Sequence, residues 1–185
     1  ARREGDHWRS TRATAPVAIA LLDWLRAHPA DAQRRWVKPY YSEEYDVGRG
    51  ARGYEGFLFP DTYEISPSAS TRDIIELMLA DFDRRFSSEM RRQAVAMGYS
   101  IAQVVTMASI VAREAVVADE RAVIASVYYN RLQAGMPLGA DPTVQYAKGY
   151  NVTLDRWWAP LRVADYQAVD SPYNTYTRRG LPPGP

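Results

Sequence analysis

SIAQVVTMASIVARE, residues 100–114, reads as one helix with an acid at its end, and the rest of the chain is best read outward from it. Ser100 can accept from the backbone N–H of Gln103, and Gln103 can reach back to Ser100, the reciprocal pattern of a capping box. Val104, Met107, Ala108, Ile110 and Val111 recur at helical spacing and define an apolar side, with Thr106, Ser109 and Arg113 on the other. Glu114 breaks the rule: the residues three, four and seven before it are Val111, Ile110 and Met107, so a carboxyl group ends the apolar stripe and points where the stripe points.

A carboxyl held against apolar side chains disfavours its charged form, and that is the condition under which a Glu works as a general acid near neutral pH. The plainer alternative is a helix-end Glu paired with an arginine such as Arg121. Spacing alone leaves both open.

Composition bounds the classes of function. The chain has 185 residues, 46% hydrophobic and 24% charged, enough for one domain with a core or one domain and a small appendage. A net charge of +1 argues against a molecule built for nucleic acid. There is no cysteine, which excludes disulfides and thiolate chemistry, and the two histidines, His7 and His28, both lie near the start. A His/Cys metal site is therefore not expected, nor a Ser–His pair drawn from later motifs. No apolar run approaches the roughly 18–20 residues of a transmembrane helix. The chain lacks an initiator Met and ends on LPPGP, so it is expected to be a fragment of a longer protein.

Residues 1–13 are polar and Arg-rich and are expected to form a mobile arm. An amphipathic helix is expected over Thr14–Ala27, a shorter one over Ala30–Val37, and a loop over residues 39–53. EGFLFPDTYEI, residues 55–65, is strand-like around a Pro-Asp turn. Ser70 with Asp73 three residues later opens a helix whose stripe is Ile74, Ile75, Met78, Leu79, Phe82 and Phe86. A segment from Met90 to Met97 stops at Gly98. Beyond Glu114, a helix over Glu120–Ala134 closed by Gly135 would turn Val123, Ile124, Val127, Tyr128 and Leu132 inward. Asp141-Pro142 reads as a helix start, with Asp141 as cap. The fold class expected is α+β, a helix-rich body with a small strand element near residues 55–65. Residues 1–53 are set apart as a helical or linker segment, and residues 54–185 as the domain carrying the chemistry.

Four stretches in order carry a resemblance: EGFLFPDTYEI (55–65), ASIVAREA (108–115), ASVYYNRLQAGMPLGADPTVQYA (125–147) and SPYNTYTRRGLPPGP (171–185). They resemble the endolytic murein transglycosylase family, also called YceG-like or MltG, over roughly residues 54–185. The resemblance implies cleavage of peptidoglycan glycan strands between N-acetylmuramic acid and N-acetylglucosamine, within the strand. The muramoyl 6-hydroxyl would attack its own anomeric carbon and leave a 1,6-anhydro end. One carboxyl group suffices for that, first as acid and then as base, in place of the two of ordinary glycosidases. The family's motif often has two acidic positions. This chain has Ala112 at the first, which leaves Glu114 as the catalytic residue on both grounds. The resemblance further implies no cofactor, a glycan substrate, a membrane-anchored intact protein on the extracytoplasmic side of the plasma membrane, and work beside cell-wall synthases. It also implies that the last part of the catalytic domain lies beyond residue 185.

Supporting residues follow from the same motifs. Asn174, in PYNTY, resembles the Tyr-Asn element with which lytic transglycosylases hold the sugar's N-acetyl group or 6-hydroxyl; a loop Asn bonding its own backbone is the alternative. Tyr146, Tyr173 and Tyr176 are candidates to stack on sugar faces, or to pack in the core. Asn130 and Arg131 either face a cleft or cap and pair at their helix end. Asp141 reads more as a helix cap than as a catalytic group. Glu55, Asp61 and Tyr63 are candidate groove residues. Two other functions are weighed. One is a non-catalytic glycan-binding or scaffold module. The other is a pyridoxal-phosphate-dependent aminodeoxychorismate lyase, a label the family has carried, for which only Lys38 and Lys148 could form the Schiff base.

Overall fold

The computed structural model describes the backbone of Arg2–Glu4 and His7–Arg9 and, with side chains, residues 54–185. The helices expected over 14–27 and 30–37 and the loop over 39–53 lie outside the described residues. The chain divides into two compact units, with the division between Ser100 and Ile101.

In the first unit, strands β1 (Arg2–Glu4), β2 (His7–Arg9) and β3 (Glu64–Ile65) form an antiparallel sheet in the order β1-β2-β3, with Trp8 opposite Ile65 and Arg9 opposite Glu64. Part of the expected arm is thus a hairpin. Its backbone groups find partners in each other and in the edge of β3, a source of order that charge-rich composition does not disclose. The strand expected over 55–65 is confined to its last two residues. Before it, Phe57 N–H closes a turn onto Tyr54 O at 2.9 Å.

Helix α1 (Thr71–Arg85) starts as its sequence predicts. Ser70 and Asp73 form the reciprocal capping box, and Ile75, Met78, Leu79 and Phe82 are buried. Phe82 is the hub: Phe57 meets it edge-on at 5.2 Å, and Phe86 stacks on it at 5.6 Å. Helix α2 (Ser88–Ala96) is capped by Ser87, whose hydroxyl accepts from Met90 N–H at 3.2 Å.

The second unit is helical. Its elements are α3 (Ile101–Glu114), a 3-10 turn (Ala118–Glu120), α4 (Arg121–Gln133), α5 (Asp141–Lys148) and the single turn α6 (Asp165–Ala168). Met107, Ile110, Val111, Tyr128, Leu138 and Ala140 form one buried cluster, with Ile124, Ala125, Tyr129, Leu132 and Leu181 packed around it. The two inward faces differ from expectation at particular places. Thr106 is buried and Ala108 exposed on α3, and Val123 and Val127 are exposed on α4. A buried Thr at a helical position is tolerable because its hydroxyl donates to Ala102 O, one turn back, at 2.8 Å. The segment 171–178 is stitched to the loop before α5. Gly139 N–H donates to Thr175 O and Ala140 N–H to Thr175 Oγ1, both at 3.0 Å, and the Thr143 and Thr175 hydroxyls meet at 2.8 Å.

Candidate functional site

Glu114 is the last residue of α3 and is half-buried, in line behind the buried Met107, Ile110 and Val111. Helix periodicity carries it there: three apolar residues that must face the core oblige the fourth position of the row to face the same way. Across from it on α4, the Tyr128 hydroxyl donates to Glu114 Oε1 at 3.1 Å. Burial, and then the charge of Glu114, push the Tyr128 phenol well above its ordinary range, so it is a hydrogen-bond donor throughout the physiological pH range. Among the described residues no ion pair reaches Glu114. Arg121 is exposed and is not its partner. Neighbouring Arg113 turns away and lays its guanidinium over the Trp158 ring at 4.2 Å. Oε2 of Glu114 has no bond among the described residues.

A second acid stands in the same neighbourhood. Asp141 is not the cap of α5: Ala140 holds that position with no side-chain cap bond, and Asp141 is inside the first turn with Pro142. Its carboxylate is drawn instead onto two phenols. Tyr176 Oη donates to Oδ1 at 2.5 Å and Tyr166 Oη to Oδ2 at 3.4 Å, and the two rings pack 4.5 Å apart. Burial first and the bond to Asp141 second raise the Tyr176 phenol, with a contribution from Glu114; burial and Asp141 do the same for Tyr166. The charge of Asp141 likewise bears on Tyr128. Two carboxylates and three phenols therefore share one electrostatic environment, and the phenols are its fixed donors.

Arg131 belongs to the frame of this cluster. Its Nη1 donates to Leu138 O, and its guanidinium lies 5.9 Å from the centre of the Tyr128 ring. Between Arg131 and Tyr176 the backbone passes at Gly139, at φ +61°, where an added Cβ would stand 3.6 Å from both Arg131 Nη1 and Tyr176 Cε1. Arg131 thus pairs at its helix end rather than reaching out. Asn130, one residue before, is exposed.

The Tyr-Asn element takes a different part from the one expected. Asn174 is 0% exposed. Its Nδ2 donates to Tyr166 O at 3.2 Å and Val169 O at 2.8 Å, and its Oδ1 accepts from Tyr176 N–H at 3.0 Å. An amide so enclosed has no face for a sugar. It is a positioning residue that fixes the backbones of Tyr166 and Tyr176, the two phenols on Asp141. Tyr173 is buried too, packed against Tyr146 at 4.7 Å, and offers no platform. Of the expected tyrosines, Tyr176 joins the site, through its hydroxyl.

Glu55, Asp61 and Tyr63 are in the first unit. Glu55 sits in the turn before β3; Asp61 pairs with Arg85; the Tyr63 hydroxyl donates to Phe59 O at 2.6 Å and to Asp81 at 3.2 Å. Lys38 lies outside the described residues. Lys148 Nζ is engaged with Asp165 Oδ2 at 2.5 Å. Two residues of the cluster were missed by sequence reasoning, Tyr128 as a donor and Tyr166. Tyr128 stood in the inward stripe of α4, which gave its burial but not the partner opposite.

The sequence pattern of the YceG-like family matches residues 10–185. An endolytic murein transglycosylase of Bacillus subtilis is 43% identical over 135 residues, 71% of this chain and 34% of the relative. One from Streptococcus pneumoniae is 37% identical over 137 residues, 71% of this chain and 23% of the relative. The crystal structure of a YceG-like protein from Listeria monocytogenes superimposes with a TM-score of 0.71 at 33% identity, covering 90% of this chain and 53% of that one. The chain thus spans a quarter to a third of the curated relatives it matches.

Proposed function

The chain belongs to the YceG-like family, and from that premise we propose that it is an endolytic lytic transglycosylase of peptidoglycan with Glu114 as its single acid/base. The observation that carries the reading is the state of Glu114: half-buried behind an apolar stripe, held at Oε1 by the Tyr128 phenol, free of arginine among the described residues, and open at Oε2.

In the reaction, Glu114 in its acid form hands its proton to the glycosidic oxygen as the bond from the muramoyl anomeric carbon to that oxygen breaks. The N-acetylglucosamine part leaves with a free hydroxyl. The muramoyl 6-hydroxyl oxygen bonds to the anomeric carbon, and its proton passes to the Glu114 carboxylate, which returns the enzyme to its starting form. No water enters. The fixed donation from Tyr128 keeps the carboxyl oriented between the two transfers, so that Oε2 is the working oxygen. Asp141, with both oxygens occupied by phenols, is a framing carboxylate rather than a second nucleophile, and the scheme differs in that respect from two-carboxylate glycosidases. Because that substrate is the cell wall, the domain would act on the extracytoplasmic side of the membrane.

Digestion of purified sacculi tests the reading. The chain is expected to release fragments ending in 1,6-anhydro-muramoyl groups, and Glu114→Gln to lower that release by about 10²–10⁴-fold. Binding of glycan without turnover, the same in both proteins, would point to a scaffold module instead.

A further inference from the structure

We propose that the hairpin over residues 150–158, whose base is held by Arg113 at the end of α3, is a glycan-stacking arm, with the Trp157 ring as the platform that receives the carbohydrate strand. The inference rests on the function proposed above and adds a binding element to it.

The hairpin is closed and stiff. Asn151 and Arg156 pair across it, with N–H to O distances of 2.9 and 3.2 Å, and Asn151 Oδ1 accepts from Leu154 N–H at 2.9 Å. Asp155 lies in the left-handed region at φ 49°, where its carboxylate accepts from the Tyr150 hydroxyl. Tyr150 in turn stands edge-on to Trp157, at 5.7 Å and 63°. The outcome is a Trp ring braced on one side by Tyr150 and 53% exposed. A large ring with little rotamer freedom left to lose is the side chain that binds an apolar face at least entropic cost.

The base of the hairpin is tied to the end of α3. Trp158 occupies the left-handed region at φ 59°, a position that a bulky residue holds only when its surroundings impose it. Those surroundings are Arg113, stacked on the ring at 4.2 Å, and the Gln145 amide, which donates to Ala159 O at 3.1 Å and Trp158 O at 3.4 Å. Arg113 precedes Glu114 in the chain. Of the two consecutive rings, Trp158 is half-buried under Arg113 and Trp157 is exposed.

The chemistry of the exposed face selects the occupant. Val152 and Leu154 are exposed beside Trp157, and Asp155 and Arg156 are exposed with them. A pyranose presents C–H faces to a flat ring and hydroxyls to polar side chains at its rim, and this surface offers both. Burying the same tip in a bilayer would carry an acid and a guanidinium with it.

Sedimentation of the 185-residue chain with purified sacculi reads the proposal, in the Glu114→Gln background so that strands are not cut. Adding Trp157→Ala is expected to weaken binding about fivefold, the scale of one aromatic contact, while Trp157→Phe, which keeps a flat ring, retains most of it. In the cleaving protein Trp157→Ala is expected to raise KM by a similar factor. Equal binding by Trp157→Ala and its parent overturns the proposal, as does equal weakening by Trp157→Phe and Trp157→Ala. So does a loss confined to flotation with anionic lipid vesicles. These outcomes leave cleavage by the parent chain intact. Persistence of cleavage in Glu114→Gln, by contrast, contradicts the function itself.

Discussion

Asp81 and Glu114 are both acids on the buried side of a helix, one in each unit, and they are held in opposite ways. Asp81 on α1 is 3% exposed and fully occupied: Arg84 and Arg85 both reach it, and the Tyr63 hydroxyl donates to its Oδ2 at 3.2 Å. Glu114 on α3 has a phenol where Asp81 has two guanidiniums, and that phenol engages only one of its oxygens. An arginine fork satisfies a carboxylate and removes it from chemistry. A neutral donor at one oxygen orients the group while leaving the other oxygen able to give and take a proton. Burial of an acid is thus no sign of function in itself; what satisfies it decides.

The comparison can be broken at four places, in falling order of effect. Glu114→Gln is expected to remove the activity with little change in thermal stability, because the amide can still accept from Tyr128. A protein that unfolded instead would make Glu114 structural like its counterpart. Asp81→Ala should show the reverse. It removes one of the two acceptors of Tyr63 and one of the two acids of Arg85, together with the acid on Arg84, and should cost about 1–3 kcal/mol in denaturant unfolding, with turnover per folded molecule preserved. Tyr128→Phe should lower kcat about tenfold, the worth of one hydrogen bond to a charged group, without the loss of fold that deleting the ring would cause. Last comes pH. Burial, then the neighbouring acid, pushes the Tyr63 phenol up to about 12 from 10.0, and the Tyr128 phenol is raised likewise. A pKa raised on folding gives stability that is complete below pH 10 and is lost as pH rises through the folded value. The melting temperature should therefore fall from about pH 10 upward, and the fall should be shallower in Tyr63→Phe.

Legibility in the sequence followed distance along the chain. The capping box of Ser70 and Asp73 spans three residues and was readable as such, as was the place of Glu114, set by apolar residues within two turns of it. Contacts that join separate elements were not. The partner of Glu114 is 14 residues away and that of Asp141 is 35 residues away, so a local rule made Asp141 a cap when its carboxylate belongs to Tyr176. An amide suits a sugar, and Asn174 in isolation points to one; the backbone groups it satisfies come from Tyr166, Val169 and Tyr176, and only the folded loop gathers them. Val123 and Val127 fit an inward stripe by spacing, yet α4 turns Tyr128 and Ile124 to the core and leaves both valines outside. Periodicity finds a helix and its amphipathic sides, and the neighbouring elements choose the angle at which they meet.

In the proposed reaction one proton passes through Glu114 to and from the sugar itself, with no water consumed. Digestion of sacculi in water enriched in oxygen-18, with mass analysis of the new muramoyl ends, measures that directly. Ends that are anhydro and carry no heavy oxygen are the result predicted; reducing ends labelled with oxygen-18 would contradict it.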